Sequence, residues 1–281
     1  MPVISPNAFA PPVANDLGSP VSTSLREQVR RLERAHSAQR AGRTAVPLGL
    51  PEIDRLLPDG GLLTGALHEI EAGPTPSGRV AAHDGAALGF TAFLLGRLGP
   101  GTLLWCRQPS GIDAPPYAPA LAAWFDPARL LMVTARRDED LFWAMEEGLR
   151  TPGIAAVIGE FAHSHAQRAT GPTAGRRLSL AAEKNGVPAL LLRAQPAPPQ
   201  SVCATRWRVA SARSSGAAAP SPDIDFARWQ VELRRNRFGM PSAEETPSWL
   251  LEWNDETRDL AVVPQARHRS AGEDRQQRLV G

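Results

Sequence analysis

Lysine is almost missing from this sequence: of its 31 basic residues only Lys184 is lysine. Together with 24 glycines and 27 prolines, that bias reads as the codon usage of a GC-rich genome. An arginine here is therefore not by itself a functional signal. Cysteine is scarce as well. Two residues, Cys106 and Cys203, exclude a disulfide framework, and both fall in apolar, strand-like segments where buried free thiols of a reducing cytoplasm are expected. No apolar run approaches the roughly 20 residues that a membrane-spanning helix needs. The opening MPVISPNAFAPPVAND has neither a basic region nor a long apolar stretch, so no signal peptide is expected and the predicted location is cytoplasmic. A formal net charge of +2 is too small to argue for nucleic acid on its own.

What remains is a chain of 281 residues, 42% hydrophobic, enough for one substantial core with tails. Residues 1–23 are rich in Pro, Ser, Asn and Ala without periodicity, which predicts disorder. Over 24–40, Leu25, Val29, Leu32 and His36 recur on one helical face among arginines and glutamates, which predicts a short amphipathic helix, with its linker reaching residue 46. The predicted core domain runs over 47–263, and the polar stretch 264–281 reads as a flexible tail. Within the core, strand-like and helix-like patterns alternate: ALHEIEA (66–72), a helix over 80–98, TLLWC (102–106), a helix over 118–125, RLLMVTA (129–135), a helix over 138–150, GIAAVIGE (153–160), a helix over 174–185, and PALLLRAQ (188–195). This order means βαβ units and a mostly parallel sheet flanked by helices, an α/β fold. After residue 200, TRWRVASA, ARWQVELRRNRF, SWLLEWND and TRDLAVV alternate with short turns, which predicts antiparallel strands at one edge.

The segment HEIEAGPTPSGRVAA (68–82) ends a strand, turns through Gly73 and Gly78, and enters a helix. A phosphate-binding P-loop reads G-x-x-x-x-G-K-[ST] in that context. Here the glycines are correctly spaced, but Arg79 replaces the lysine and Val80 the hydroxyl residue. Valine cannot ligate Mg²⁺, and a guanidinium is a bulky planar fork where a point charge is needed. Pro76 removes one backbone N–H that could have faced a phosphate. The bland alternative is a Gly/Pro turn of the kind that joins strand to helix throughout α/β proteins.

The surroundings carry a resemblance. Ile53-Asp54, Gly60-Gly61-Leu62 and Gly65 resemble the approach to the P-loop in the RecA superfamily, and Val231, Leu233, Arg235-Asn236-Arg237 and Pro241 resemble its later strand pair. Within that superfamily the chain resembles the ImuA family in its His68-Glu69-Ile70 strand start, its altered loop, its Arg176-Arg177-Leu178 helix and its Leu-Leu-Leu-Arg193 strand. The resemblance implies a RecA-like fold and a non-catalytic accessory role in SOS-induced mutagenesis and translesion synthesis. The implied partners are an inactive Y-family polymerase homologue of the ImuB type and an error-prone polymerase of the replicative type. RecA itself is a further partner that the resemblance allows, with DNA reached only indirectly or weakly, in the cytoplasm or at the nucleoid when recruited to damage. No cofactor is expected, although nucleotide binding without turnover is compatible with the loop.

Against the RecA pattern, the glutamate that positions the attacking water falls at Gln108, whose amide is no general base. The Walker B aspartate falls at Gly159, with Glu160 one place later, on the opposite side of a regular strand. Hydrolysis is therefore predicted to be lost. His163 and His165, near Arg168, form too small a donor set to predict a metal site. Arg234, Arg235 and Arg237 are candidates for contact with phosphates or an acidic partner, a solvated strand face being the alternative. The helix at 24–40, through Leu25, Val29 and Leu32, is a second candidate interface, since RecA protomers associate through an N-terminal helix and an edge strand. Trp229, Trp249 and Trp253 are expected to pack across neighbouring strands. Two other functions stay open at this point: a divergent active P-loop NTPase, and a cell-division inhibitor of the SulA type, which shares the same reduced core.

Overall fold

The computed structural model describes residues 44–74, 85–109, 116–161, 172–194, 201–212, 227–239, 246–254, 257 and 259–263. All of them lie in one compact unit spanning Ala41–Gly281. The predicted helix at 24–40, with Leu25, Val29 and Leu32, lies outside the described residues, as do both termini.

A two-stranded antiparallel ribbon, β1 (Ala45–Val46) on β2 (Leu62–Leu63), precedes the main sheet. The sequence between them explains its shape. Asp54, at the end of the one-turn helix α1 (Pro51–Asp54), accepts the backbone N–H groups of Leu48 (2.8 Å) and Gly49 (3.1 Å), while Ile53 is buried in the core. Gly61 lies so close to β1 that a Cβ would meet the Val46 carbonyl oxygen at 2.4 Å. The Ile-Asp and Gly-Gly elements of the sequence pattern thus have packing reasons of their own.

The main sheet has nine strands in the order β11-β10-β9-β8-β3-β7-β6-β4-β5. Strands β3 (Leu67–Ala72), β4 (Thr102–Arg107), β5 (Leu130–Thr134), β6 (Ile154–Phe161), β7 (Ala189–Arg193) and β8 (Thr205–Ser211) are parallel to their neighbours in that set. Strands β9 (Arg228–Asn236), β10 (Ser248–Asn254) and β11 (Asp259–Val263) add antiparallel ones at one edge. The α/β class and the mostly parallel sheet follow the expectation. One strand does not: TRWRVASA, expected among the antiparallel set, is β8, which runs parallel to β3 and only turns antiparallel toward β9. Ser201, ahead of β8, bonds to Glu69, and no helix pattern in the sequence marks the crossover that two parallel strands require.

Helix α2 (Gly85–Arg97) covers one face and helices α4 (Asp138–Arg150) and α5 (Pro172–Asn185) the other. Helix α2 is made of Ala, Leu and Phe on most faces, as a helix buried almost all round requires, and stops before Gly99-Pro100. Helix α4 is amphipathic, burying Leu141, Phe142, Met145 and Leu149, with three acidic residues in its first turn and Arg150 in its last, matching the helix dipole. The helix expected over 118–125 is only one turn long, α3 (Ala118–Leu121). Trp124 beyond it packs edge-on against Phe93 and at a tilt against Trp229 and Trp253, with ring centroids 5.9, 5.8 and 4.3 Å away. Trp229 and Trp253 therefore pack across strands as expected, and Trp249 is buried in the same core. Both cysteines are buried and free, and burial pushes each thiol up to about 12. No helix among the described residues is long and apolar enough to cross a membrane.

Candidate functional site at the carboxyl ends of the strands

In open α/β sheets, ligands bind outside the carboxyl ends of the strands, where connections leave for opposite faces. Here that point lies between β4 and β6. Strand β4 leads to α3, whose Leu121 packs on the α2 face, while β6 leads to α5, which packs with α4 on the other. Charged residues buried within apolar strands gather at the same end: Glu69 and Glu71 of β3, Arg107 of β4, Glu160 of β6 and Arg193 of β7.

Of the loop residues singled out in the sequence, Gly73 is described and Gly78, Arg79 and Val80 lie outside the described residues. The N–H of Gly73 donates to the Val209 carbonyl at 2.7 Å, and a Cβ would meet that of Ala210 at 2.7 Å. Close approach to β8 is thus sufficient reason for this glycine. Strand β6 continues regularly through Phe161, so Gly159 and Glu160 face opposite sides. Gly159 faces Met145 of α4. Glu160 faces the α2 side and accepts the indole N–H of Trp105 at 2.8 Å, and in the ladder it stands beside Arg107. Gln108, just past β4, turns to the other face and donates through its amide to Asp138 at the start of α4. Its carbonyl oxygen is buried without a hydrogen-bond partner among the described residues. Gln108 and Glu160 are thus neighbours at the carboxyl ends of β4 and β6, joined by a 3.2 Å bond from the Gln108 N–H to the Glu160 carbonyl oxygen, yet their side chains point to opposite faces.

Two polar networks were not singled out as sites by residue chemistry. The first joins β3, β7 and β8. One Glu69 oxygen accepts from Ser201 (2.8 Å) and lies 3.4 Å from Arg193; the other accepts from Arg206 at 2.9 Å, and Arg206 also reaches Glu71 at 3.4 Å. Arg193 lies over the Phe161 ring, 5.7 Å from its centroid. The second centres on His68, fully buried. Its Nε2 meets the Leu63 carbonyl at 2.8 Å, and a carbonyl only accepts, so Nε2 carries the proton. Nδ1 then accepts from the Thr205 hydroxyl (2.8 Å), which itself accepts from the Trp207 indole (2.8 Å). Burial lowers His68 to about 4, against the weaker effect of the Leu63 bond. The signal for both networks was in the sequence: charged residues interrupting HEIEA and LLLR are either an error of patterning or a buried network.

The remaining candidates lie on β9. Arg234 sits at a register shift, exposed, 3.3 Å from Glu232. Arg235 is half-buried, and Arg237, just past the strand, is exposed and donates its N–H to the Ala204 carbonyl. The three arginines lie on and just past β9, separated from β6 and β4 by β8, β3 and β7. His163, His165 and Arg168 lie outside the described residues.

The chain matches no protein-family model. It is similar to Protein ImuA of two strains of Caulobacter vibrioides, NA1000/CB15N and ATCC 19089/CIP 103742/CB 15. The identity is 33% over 225 residues in each case, covering 75% of this chain and 85% of each relative.

Proposed function

The chain belongs to the ImuA family, and we propose that it works as a non-hydrolysing accessory protein of damage-induced mutagenesis and translesion DNA synthesis. It acts by contacts with the polymerase components of a mutagenesis cassette: an inactive Y-family homologue of the ImuB type and an error-prone replicative-type polymerase. RecA is a further partner. The carrying observation is the extent of the match to Protein ImuA, 225 residues and 85% of the relative's length, far more than one shared motif.

Chemistry supports the non-catalytic part. In a RecA-like reading, metal ligation needs a hydroxyl where Val80 stands, and activation of water needs a carboxylate where Gln108 stands. Glu160 is held by Trp105, and the Gln108 amide by Asp138. Such side chains serve as packing polar groups. A domain of this kind keeps its surfaces while its loop drifts.

The test is a pull-down of the purified chain with each cassette protein, paired with a damage-induced mutagenesis assay of Arg79→Ala. Specific capture of at least one polymerase component and near-normal mutagenesis in the variant are expected. A stably folded Arg79→Ala protein with a strong mutagenesis defect would mean that a phosphate still binds there.

A further inference from the structure

The outer surface of α4 and α5 carries what their buried faces do not explain. Trp143 of α4 is 65% exposed and Leu180 of α5 is 51% exposed, large apolar side chains on adjacent helices. Arg150 follows Trp143 by two turns, so both lie on one face of α4; Arg177, Leu180 and Lys184 share one face of α5 by the same spacing. The two faces are pinned side by side. Glu146, buried between the helices, accepts Arg177 at 2.7 Å and lies 3.5 Å from Arg150. A groove of about 270 Å³ opens at this seam, walled by Arg150, Arg177 and Lys184 with Leu180 and Ala181 beneath.

The charges decide what fits. One buried carboxylate serves two arginines, and their side chains remain 54% and 66% exposed. Lys184 is exposed and has no ion-pair partner among the described residues. Glu147 is paired with Arg150 at 2.7 Å, and no carboxylate lines the groove among the described residues. The groove therefore offers cations around aliphatic side chains, with an aromatic side chain two turns along α4 from Arg150. We infer that it is a docking site for an acidic peptide segment of a partner protein, an aliphatic side chain seating on Leu180 and flanking carboxylates meeting Arg150, Arg177 and Lys184. The basic helix predicted at 24–40 of the same chain has the wrong charge for it. The partner's membership of the mutagenesis cassette rests on the reading above; the groove's chemistry does not.

The experiment uses the full chain and a fluorescein-labelled synthetic peptide with leucines at helical spacing among glutamates, read by fluorescence anisotropy. A second peptide has lysine at every glutamate. Binding of the acidic peptide, weakened at least fivefold by Leu180→Asp with Lys184→Glu, is expected. Leu131→Asp, on the edge strand β5 at a 52% exposed residue that does not line the groove, should bind as the parent does. Equal binding of the two peptides, or of parent and double variant, overturns the inference. So does gel filtration showing a dimer that the double variant dissociates, which would give the groove to a second copy. A parent that binds the acidic peptide but captures no cassette protein keeps the groove and defeats the cassette reading instead.

Discussion

The two faces of the sheet are built on different principles. Under α2 the core is large and aromatic: Phe90, Phe93, Trp105 and Trp207 are all but fully buried, Trp124 closes the far side against Trp229 and Trp253, and the buried Glu160 and Thr205 accept the indole N–H groups of Trp105 and Trp207. Under α4 and α5 the apolar cluster is smaller and shares its space with Glu69, Glu71, Arg193, Arg206 and Glu146. Apolar burial stabilises without direction, whereas buried ion pairs cost nearly as much in desolvation as they return and chiefly fix geometry. The α2 face thus holds the molecule together. The opposite face sets how β3, β7, β8 and the outer helices stand relative to one another.

The largest expected effect belongs to the aromatic face. Phe90→Ala removes a ring in contact with Phe93 and Trp207, at centroid distances of 6.0 and 5.6 Å. It should cost about 3–5 kcal/mol in urea unfolding. Loss of under about 1 kcal/mol there would mean that the α2 face is not the main source of stability.

His68 stands where the two principles meet, on an apolar strand but hydrogen bonded at both nitrogens. An unfolded histidine titrates near 6.5, and in the fold burial holds His68 near 4. As pH falls the unfolded chain takes up the proton first, so this contribution is complete above about pH 6.5 and drains away toward pH 4. At about 1.4 kcal/mol per unit, the loss comes to roughly 3–4 kcal/mol. His68→Gln should flatten that part of the stability–pH profile; an unchanged slope would assign the acid sensitivity to other groups.

A smaller effect probes the seam between β3 and β8. Gly73→Ala should cost about 1–3 kcal/mol, since the new Cβ meets Ala210 at 2.7 Å and β8 must shift. A neutral result would mean that packing against β8 is not what requires this glycine. The smallest effect belongs to the outer helices: Glu147→Gln breaks an exposed pair and should change stability by less than about 0.5 kcal/mol.

Strands β3 to β7 were legible because apolar runs with helices between them have few other solutions. The direction of β8 was not legible: its alternating TRWRVAS reflects one apolar face and one polar face, and a strand parallel on one side and antiparallel on the other has no period of its own. The regular strand through Glu160 followed from the pattern, but its capture by Trp105 depends on a register between β4 and β6 that sequence spacing does not carry. The same holds for Gln108 and Asp138, 30 residues apart in the chain and joined only when α4 docks. Val80 needed no structure: a missing hydroxyl is visible in the sequence itself.

The most direct test of the account is ATP turnover by the purified full chain, measured with and without single-stranded DNA beside a Gly78→Asp variant. The expected result is background phosphate release, equal in both proteins and unchanged by DNA. Turnover above background that Gly78→Asp abolishes would contradict the account and restore the chain to the working NTPases.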